Sequence, residues 1–325
     1  MKIHKKEHII LPQTGINYQQ TLWLEGQIIG VRKGYFKIKP EEHPFRNFLR
    51  IIQYYLPSRA KPRNLIIKLN GQKFIKQTDR TGYFKIKIHL TDEDHVLPLE
   101  YQLFKKNKDI EKIRIPEMSQ NGIFTYSESK LGVISDIDDT ILLTYVNRFL
   151  KKARTILTRN AFSRKPVKDM SRLYRILKEK DLSFFYVSNS EYNLYPLIKL
   201  FLDYRDFPEG PVYLKPYRKF RYLIRGKQMK PKATHKLERI QFLLSVFPQM
   251  KFLLIGDDSE ADPFIYSTIT KNYPDRIKAI LIRKTRYSNK HTDEIRKLFG
   301  KYDDKLYLFT DASHVIQNLT DILSE

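Results

Sequence analysis

Three acidic residues and a threonine follow a short apolar run near the middle of the chain, in the segment LGVISDIDDTI. Asp136, Asp138 and Asp139 come after residues typical of a strand that is buried on both faces of a parallel sheet. Open α/β sheets bind their ligands at the carboxyl ends of such strands. Carboxylates crowded there repel one another, and because oxygen ligands suit a hard cation, the pattern favours Mg²⁺. The alternative is an acidic turn that caps a helix starting near Ile141.

Two later segments also end in polar residues after an apolar run. Phe184–Val187 is followed by Ser188 and Asn189. The other apolar run, Lys251–Ile255, is followed by Gly256, Asp257, Asp258 and, slightly later, Asp262. If the three strands are neighbours in one sheet, these side chains lie beside Asp136 at the same edge.

The composition allows real hydrophobic cores and favours anionic partners. The 325 residues include 60 Lys and Arg against 36 Asp and Glu, a net charge of +24, and 41% are hydrophobic. This charge favours phosphorylated substrates, anionic lipid surfaces or nucleic acid, although a basic proteome or simple solubility would also produce it. The absence of cysteine excludes disulfides, thiolate metal sites and cysteine nucleophiles. Because no apolar run suits a signal peptide or a membrane span, we expect a cytoplasmic protein, with peripheral membrane contact open.

The local patterns divide the chain into two domains, 1–127 and 128–325. The first opens with a loose basic lead-in over residues 1–20 and continues with hairpin and strand signals, such as the alternation over Tyr83–Leu90. Phe45–Leu56 has helical spacing instead, so we predict a small β-sandwich with one helical crossing. Its acids and histidines are scattered, and we interpret them as surface or structural residues.

The second domain alternates between strands and helices, which indicates an α/β fold with a parallel sheet covered on both faces. We predict strands near 131–135, 183–187, 211–214, 251–255, 277–283 and 305–309. We predict helices over 145–158, 168–180, 193–203, 234–246, 261–271, 291–299 and 312–323.

Two basic insertions stand out within the second domain, near 145–180 and 215–236. The first mixes Lys and Arg with apolar residues, as in a basic amphipathic helix, and its alternative is a solvated face with an apolar stripe on the core. The second contains no acid and carries interleaved aromatics. Because uninterrupted like charge repels itself, the second insertion favours an anionic partner.

The motifs resemble, in order and spacing, those of the haloacid dehalogenase superfamily of phosphohydrolases. The resemblance rests on DxDxT, a strand-terminal serine, a lysine before a helix and GDxxxxD, which here are Asp136, Asp138, Thr140, Ser188, Lys236, Asp257 and Asp262. The wider segments SDIDDTI, YVSNSEYNLYPLIKLFL and KFLLIGDDSEADPFIY resemble the family of phosphatases typified by the yeast actin-patch phosphatidate phosphatase. The upstream segment TDRTGYF resembles the β domain of those proteins, and we expect a bacterial member of the family.

This resemblance implies a haloacid-dehalogenase-like Rossmannoid sheet and a Mg²⁺-dependent phosphatase that acts through an aspartyl-phosphate. Asp136 would be the nucleophile, and Asp138 would protonate the leaving oxygen and then deprotonate the attacking water. Ser188 and Lys236 would bind the transferring phosphoryl group. The metal ligands would be Asp136, Asp138 through its main-chain carbonyl, and Asp257. Secondary candidates are Thr140, Asn189, Asp258 and Asp262.

The resemblance leaves the substrate open. Lys230 and Lys232 compete with Lys236 for the catalytic role, and departures from the family's pattern at SEYN and GDDSE lie at the pocket rim or floor. We expect phosphatidate or another anionic phospholipid as substrate. A soluble or nucleic-acid phosphate monoesterase is the second hypothesis. A non-catalytic anion-binding protein is the third, and the intact set of acids argues against it.

Overall fold

The computed structural model describes residues 7–31, 58–59, 64–91, 99–104, 110–120, 122–127, 129–143, 166–215, 232–286, 288 and 291–324. Within these residues, mostly antiparallel sheets precede residue 131 and a parallel sheet follows it. The predicted helices over Phe45–Leu56 and 145–158, and most of the second basic insertion, lie outside the described residues.

Two sheets form the N-terminal half. One contains β1 (Glu7–Tyr18), β2 (Thr21–Val31), β3 (Ser58–Arg59), β6 (Tyr83–His89) and β9 (Ile123–Thr125). The other contains β4 (Asn64–Leu69), β5 (Gln72–Gln77), β7 (Glu100–Phe104) and β8 (Ile110–Ile113), and the short helix α1 (Glu117–Gln120) precedes β9. Asn70 and Gly71 form the β4–β5 hairpin turn, both with positive φ, as this residue pair favours. Leu24, Phe84 and Ile67 pack in the core between the two sheets.

The expected basic lead-in is a strand for most of its length. Residues 7–18 form β1, which pairs with β2 and also with β9. The expectation of a loose segment was wrong there because Ile9, Ile10 and Ile16 are fully buried. Burial of these apolar side chains stabilises the strand, although the residues that precede it in the sequence are basic.

A six-stranded parallel sheet forms the C-terminal half. Its strands are β10 (Leu131–Ser135), β11 (Ser183–Glu191), β12 (Val212–Lys215), β13 (Lys251–Asp257), β14 (Ile277–Arg283) and β15 (Leu306–Phe309). Their order across the sheet is β12-β11-β10-β13-β14-β15. The direction of winding therefore reverses between β10 and β13, which is where doubly wound sheets open a ligand crevice.

Helices cover this sheet and confirm the predicted α/β alternation. They are α2 (Met170–Glu179), α3 (Tyr195–Tyr204), α4 (Lys232–Val246), α5 (Asp262–Asn272), α6 (Thr292–Phe299), α7 (Ala312–Gln317) and α8 (Leu319–Ser324). The single helix predicted over 312–323 is two helices separated at Asn318. Among the described residues, no helix combines the length and apolarity needed to cross a membrane.

The two halves share hydrophobic cores. Ile9 and Val31 of the N-terminal sheet belong to the cluster that surrounds Val133 of β10. Ile16 belongs to the cluster on the other face of the parallel sheet, together with Phe247. Because β1 and β2 pack directly on the α/β half, the position of the N-terminal sheet is coupled to that of the parallel sheet.

Candidate active site

The candidate site lies at the switch point of the parallel sheet. Asp136 follows β10, and Asp257 is the last residue of β13. The two strands are hydrogen-bonded neighbours, with Ser135 opposite Ile255, and the amide of Asp136 donates to the carbonyl of Ile255 at 2.8 Å. The register of these strands therefore brings two acids from distant parts of the chain to the same sheet edge.

Lys236 enters this edge from the first turns of α4. Its ammonium group donates to Oδ1 of Asp136 at 2.8 Å and to Oδ1 of Asp262 at 2.5 Å, and its side chain is 1% exposed. Lys230 lies outside the described residues, as does the side chain of Lys232. Of the three lysines considered for the catalytic role, Lys236 is therefore the one whose side chain is described, and it contacts Asp136 and Asp262.

Thr140 joins the two strand-end acids. Its hydroxyl group lies 3.1 Å from Oδ2 of Asp136 and 3.3 Å from Oδ2 of Asp257. The loop reverses at Asp139, whose φ of 56° is left-handed, a region that aspartate tolerates better than most residues. This reversal returns the threonine to the acids, and the described residues 136–143 form a turn rather than the start of a helix.

Arg283 supports the same loop, and it was not among the residues singled out from the sequence. It is the last residue of β14, opposite Asp257, and its Nη1 donates to the carbonyl of Asp139 at 2.5 Å. Burial lowers the pKa of Arg283 below its usual value, and the nearby carboxylates of Asp139 and Asp257 offset this effect only in part. An arginine at the end of the predicted strand 277–283 is the sequence signal that could have indicated this role.

Asp262, the first residue of α5, completes the cluster. Its Oδ2 accepts from the amide of Asp257 at 3.3 Å. Gly256 makes this approach possible, because a Cβ built there would lie 2.4 Å from the same oxygen and 2.8 Å from the ring of Tyr266. The glycine of the Gly-Asp-Asp segment thus leaves space for a carboxylate.

Burial perturbs the acids of this cluster strongly. It raises the pKa of Asp136 well above its usual value, against the effect of Lys236, and the neighbouring carboxylates Asp262 and Asp257 raise it further. Burial and then Asp262 raise the pKa of Asp257 to about 7. Burial would lower the pKa of Lys236, but Asp136 and Asp262 hold it above its usual value. One lysine does not compensate three buried carboxylates, so the cluster favours additional positive charge.

The donor set fits a hard divalent cation. One oxygen each of Asp136, Asp257 and Asp262 lies within 4.8 Å of the others, and all three residues are buried. Oxygen-only ligands with excess negative charge suit Mg²⁺. Of the predicted ligands, Asp136 and Asp257 are in this cluster, and the secondary candidate Asp262 also contributes to it. The predicted role of the main-chain carbonyl of Asp138 stays a prediction.

Asp138 is held beside the cluster by two serines. Its Oδ2 accepts from the hydroxyl of Ser188 at 3.1 Å and from that of Ser190 at 2.6 Å. The amide of Ser190 donates in turn to Ser188 at 2.9 Å. Both serines belong to β11, which extends beyond the predicted end at 187. The structure therefore brings the predicted proton donor and the predicted phosphate-binding serine into contact.

Two secondary candidates have other contacts. The side-chain amide of Asn189 donates to Glu260 at 3.1 Å, which links the ends of β11 and β13. Asp258 is fully buried, but its carboxylate accepts from Thr285 at 2.7 Å and pairs with Lys284 at 2.9 Å. Asp258 thus links the end of β13 to the loop after β14, and these contacts do not involve Lys236.

Fold and site together define an α/β protein whose sheet switch point holds a buried cluster of acids around one lysine. Residues 131–284, just under half of the chain, match the family model of the catalytic domain of phosphatidate phosphatase APP1. The matched range contains every candidate site residue predicted from the sequence.

Two curated relatives are similar to the chain over part of their length. Phosphatidate phosphatase APP1 of Saccharomyces cerevisiae is 36% identical over 158 residues, which are 47% of this chain and 26% of that protein. An uncharacterized protein of Schizosaccharomyces pombe is 25% identical over 220 residues, 65% of this chain and 34% of that protein. The chain therefore spans about a quarter of the length of the first relative and about a third of the length of the second.

Among solved structures, the carbohydrate acetylesterase XAC1771 of Xanthomonas citri is similar over 97% of this chain and 76% of its own. The identity is 8% and the TM-score is 0.26, so this similarity carries no argument about the fold.

Proposed function

We propose that the chain is a Mg²⁺-dependent phosphoric monoester hydrolase of the haloacid-dehalogenase-like type. The observation that carries this proposal is the contact of Asp136 with Lys236 inside a buried carboxylate cluster at the switch point. The match of residues 131–284 to the catalytic domain of a phosphatase family supports the same reaction class. A bound Mg²⁺ would supply charge that lowers the repulsion between the nucleophile and a phosphate dianion.

The proposed reaction has two displacements at phosphorus. A carboxylate oxygen of Asp136 forms a bond to phosphorus while the ester oxygen leaves and takes a proton from Asp138. Water then attacks the aspartyl-phosphate, Asp138 removes its proton, and inorganic phosphate leaves with the Asp136 carboxylate restored. Lys236 and Ser188 would stabilise the charge on the transferring phosphoryl oxygens. The serine contacts of Asp138 support this role, because they hold its carboxyl next to Ser188, the proposed phosphate-binding residue.

We propose phosphatidate or another anionic phospholipid as the substrate, met at a membrane surface by a cytoplasmic protein. The name of the yeast relative supports this choice, as does the net charge of +24. An anionic bilayer attracts Lys and Arg near its surface with about 1 kcal/mol each. The two basic insertions near 145–180 and 215–236 are the segments that could supply this attraction.

A phosphate-release screen tests the reaction and the substrate together. Purified protein is assayed with Mg²⁺ against phosphatidate in mixed micelles, nucleotides, sugar phosphates and a 5′-phosphorylated oligonucleotide, with Asp136→Asn as control. We expect turnover of phosphatidate that the control lacks. Turnover only of soluble or nucleic-acid esters would replace the lipid substrate, and no turnover of any ester would leave the non-catalytic hypothesis.

A further inference from the structure

Glu25 is a buried acid at the contact between the two halves of the molecule. It lies in the middle of β2 and is 5% exposed. Its neighbour Leu24 packs in the core between the N-terminal sheets, whereas Trp23, on the same face as Glu25, packs against the α/β half. A carboxylate is costly to bury unless it is paired and hydrogen-bonded, so the partners of Glu25 decide its role.

Three donors from separate elements converge on this carboxylate. Oε2 pairs with Nη1 of Arg239 at 2.8 Å and accepts from the hydroxyl of Tyr83 at 2.7 Å. Oε1 accepts from the hydroxyl of Tyr192 at 3.2 Å. The rings of Tyr83 and Tyr192 stack with centroids 6.4 Å apart, and the guanidinium of Arg239 lies 4.9 Å from the ring centre of Tyr213. We call these five residues the Glu25 cluster.

The Glu25 cluster holds two elements that carry site residues. Arg239 lies three residues after Lys236 on α4, which places both side chains on neighbouring parts of one helix surface. Tyr192 comes directly after β11 and four residues after Ser188. The helix that supplies the lysine and the strand that supplies the serine are therefore attached to the same carboxylate of the N-terminal half.

We propose that Glu25 is a positioning residue for the active site, which fixes the placement of Lys236 and Ser188 by holding α4 and the end of β11. This inference rests on the proposed phosphatase function and extends it to a residue outside the matched range 131–284. Glu25 touches none of the reacting groups. Its effect is expected through geometry, because a displacement of about 1 Å in an active site lowers the rate by roughly 10²-fold.

The first test compares two neighbouring substitutions in the full chain, with p-nitrophenyl phosphate as substrate. Glu25→Gln keeps the shape of the side chain but removes the charge that pairs with Arg239. We expect its kcat to fall by about 10²-fold while KM changes little. Leu24→Ala is the control, because it weakens the N-terminal core without touching the Glu25 cluster, and we expect it to keep kcat. An equal loss of kcat in both variants would overturn the proposal.

The second test asks whether Glu25 acts through Lys236. In a Lys236→Met background the lysine no longer needs placement, so Glu25→Gln should lower kcat by much less than it does in the wild type. Such non-additivity is expected of residues that act as one unit. If the two losses multiply, Glu25 does not act through Lys236, and the proposed placement of α4 is wrong.

The third test does not depend on turnover. Amide hydrogen exchange in peptides covering 188–194 and 232–243 should be faster in Glu25→Gln than in the wild type, and unchanged in Leu24→Ala. If the wild type hydrolyses no ester, the proposed function fails, and this measurement alone decides whether Glu25 holds these segments. Unchanged exchange in Glu25→Gln would overturn the positioning role whatever the activity.

Discussion

Lys236 Nζ lies 2.8 Å from Oδ1 of Asp136, although the two residues are 100 positions apart in the sequence, and both side chains are buried. A buried ion pair is favourable only when further hydrogen bonds complete it. Asp262 supplies a second acceptor to the lysine, and Thr140 donates to the other oxygen of Asp136. The pair is therefore part of a connected cluster, and changes within it should have separable effects on stability and on rate.

Asp136→Asn should fold normally and lose essentially all phosphatase activity, because an amide cannot form the covalent intermediate. Asp138→Asn should lower kcat by about 10²- to 10⁴-fold, the usual contribution of general acid–base catalysis. Steady-state kinetics with p-nitrophenyl phosphate, together with circular dichroism, measures both effects.

Asp139→Asn is the matched control for these variants. Its left-handed φ of 56° suits asparagine, and among the described residues its carboxylate is not one of the three that form the cluster of Asp136, Asp257 and Asp262. It should keep most of the activity. Full activity in Asp136→Asn, or equal losses in Asp136→Asn and Asp139→Asn, would contradict the assignment of the nucleophile.

The raised pKa of Asp257, about 7 against an ordinary 3.8, predicts a pH-dependent stability in chelator. Between these values the folded state holds a proton that the unfolded state releases, so this acid lowers the free energy of unfolding progressively as pH rises from about 4 to 7. Asp257→Asn has no such titration and should become more stable than the wild type, by up to about 4 kcal/mol above pH 7. Urea unfolding at several pH values measures the difference.

Magnesium should reverse this order, because an ion that binds only the folded state stabilises it, and Asp257→Asn lacks a ligand. Asp258→Asn is the control, since it loses the contact with Lys284 and should be destabilised with or without Mg²⁺. If Mg²⁺ stabilises wild type and Asp257→Asn equally, Asp257 does not contribute to a metal site.

Gly256→Ala should displace the carboxylate of Asp262, because the added Cβ would lie 2.4 Å from Oδ2. We expect about 10²-fold lower kcat and a higher Mg²⁺ concentration for half-maximal activity. Overpacking should also destabilise the protein by about 1–3 kcal/mol. In Gly132→Ala the nearest atoms to the added Cβ belong to the side chains of Met250 and Phe252 in the core, so this variant should lose stability but keep the Mg²⁺ dependence. A Gly256→Ala variant with unchanged Mg²⁺ dependence would contradict the role of Asp262.

Neutralising the first basic insertion should separate lipid from soluble substrates. The four residues to change lie outside the described part of the chain and are Lys151, Lys152, Arg154 and Arg159. Their loss should weaken binding to anionic liposomes by about 4 kcal/mol, roughly a thousandfold. Liposome sedimentation and phosphatidate turnover should both fall, while turnover of p-nitrophenyl phosphate should barely change.

A variant with the same change of net charge is the control for this experiment. It neutralises four exposed lysines elsewhere, which are Lys251, Lys271, Lys297 and Lys301. Equal loss of liposome binding in both variants would mean that net charge, and not this insertion, carries the attraction. Loss of affinity for single-stranded nucleic acid, with a wild type that ignores liposomes, would favour the nucleic-acid hypothesis instead.

Much of the α/β half could be predicted from the sequence. The strand predicted over 277–283 is β14 to the residue, and the strand predicted over 131–135 is β10. Both are short apolar runs whose ends are marked by polar or charged residues, so the signal is local. Asp136 and Asp257 could be singled out as candidates for a similar reason, since each lies two residues after the last apolar residue of a run.

Only the tertiary structure decided which side chains meet beyond the strand ends. Asp258 and Asp262 are both aspartates that follow the same apolar run, and the sequence does not distinguish them. In the structure Asp262 contacts Lys236, whereas Asp258 contacts Lys284. The direction of a side chain in a loop depends on the turn, and here it depends on the space that Gly256 leaves.

Glu25 shows the same difference over a longer distance. In the sequence it is one scattered acid in a strand-rich region, and its spacing carries no sign of a partner. Its contacts with Arg239 and Tyr192 arise because β2 packs against the α/β half with its second face. Alternation along a strand predicts which residues share a face, but the element that covers the face is determined by packing between distant segments.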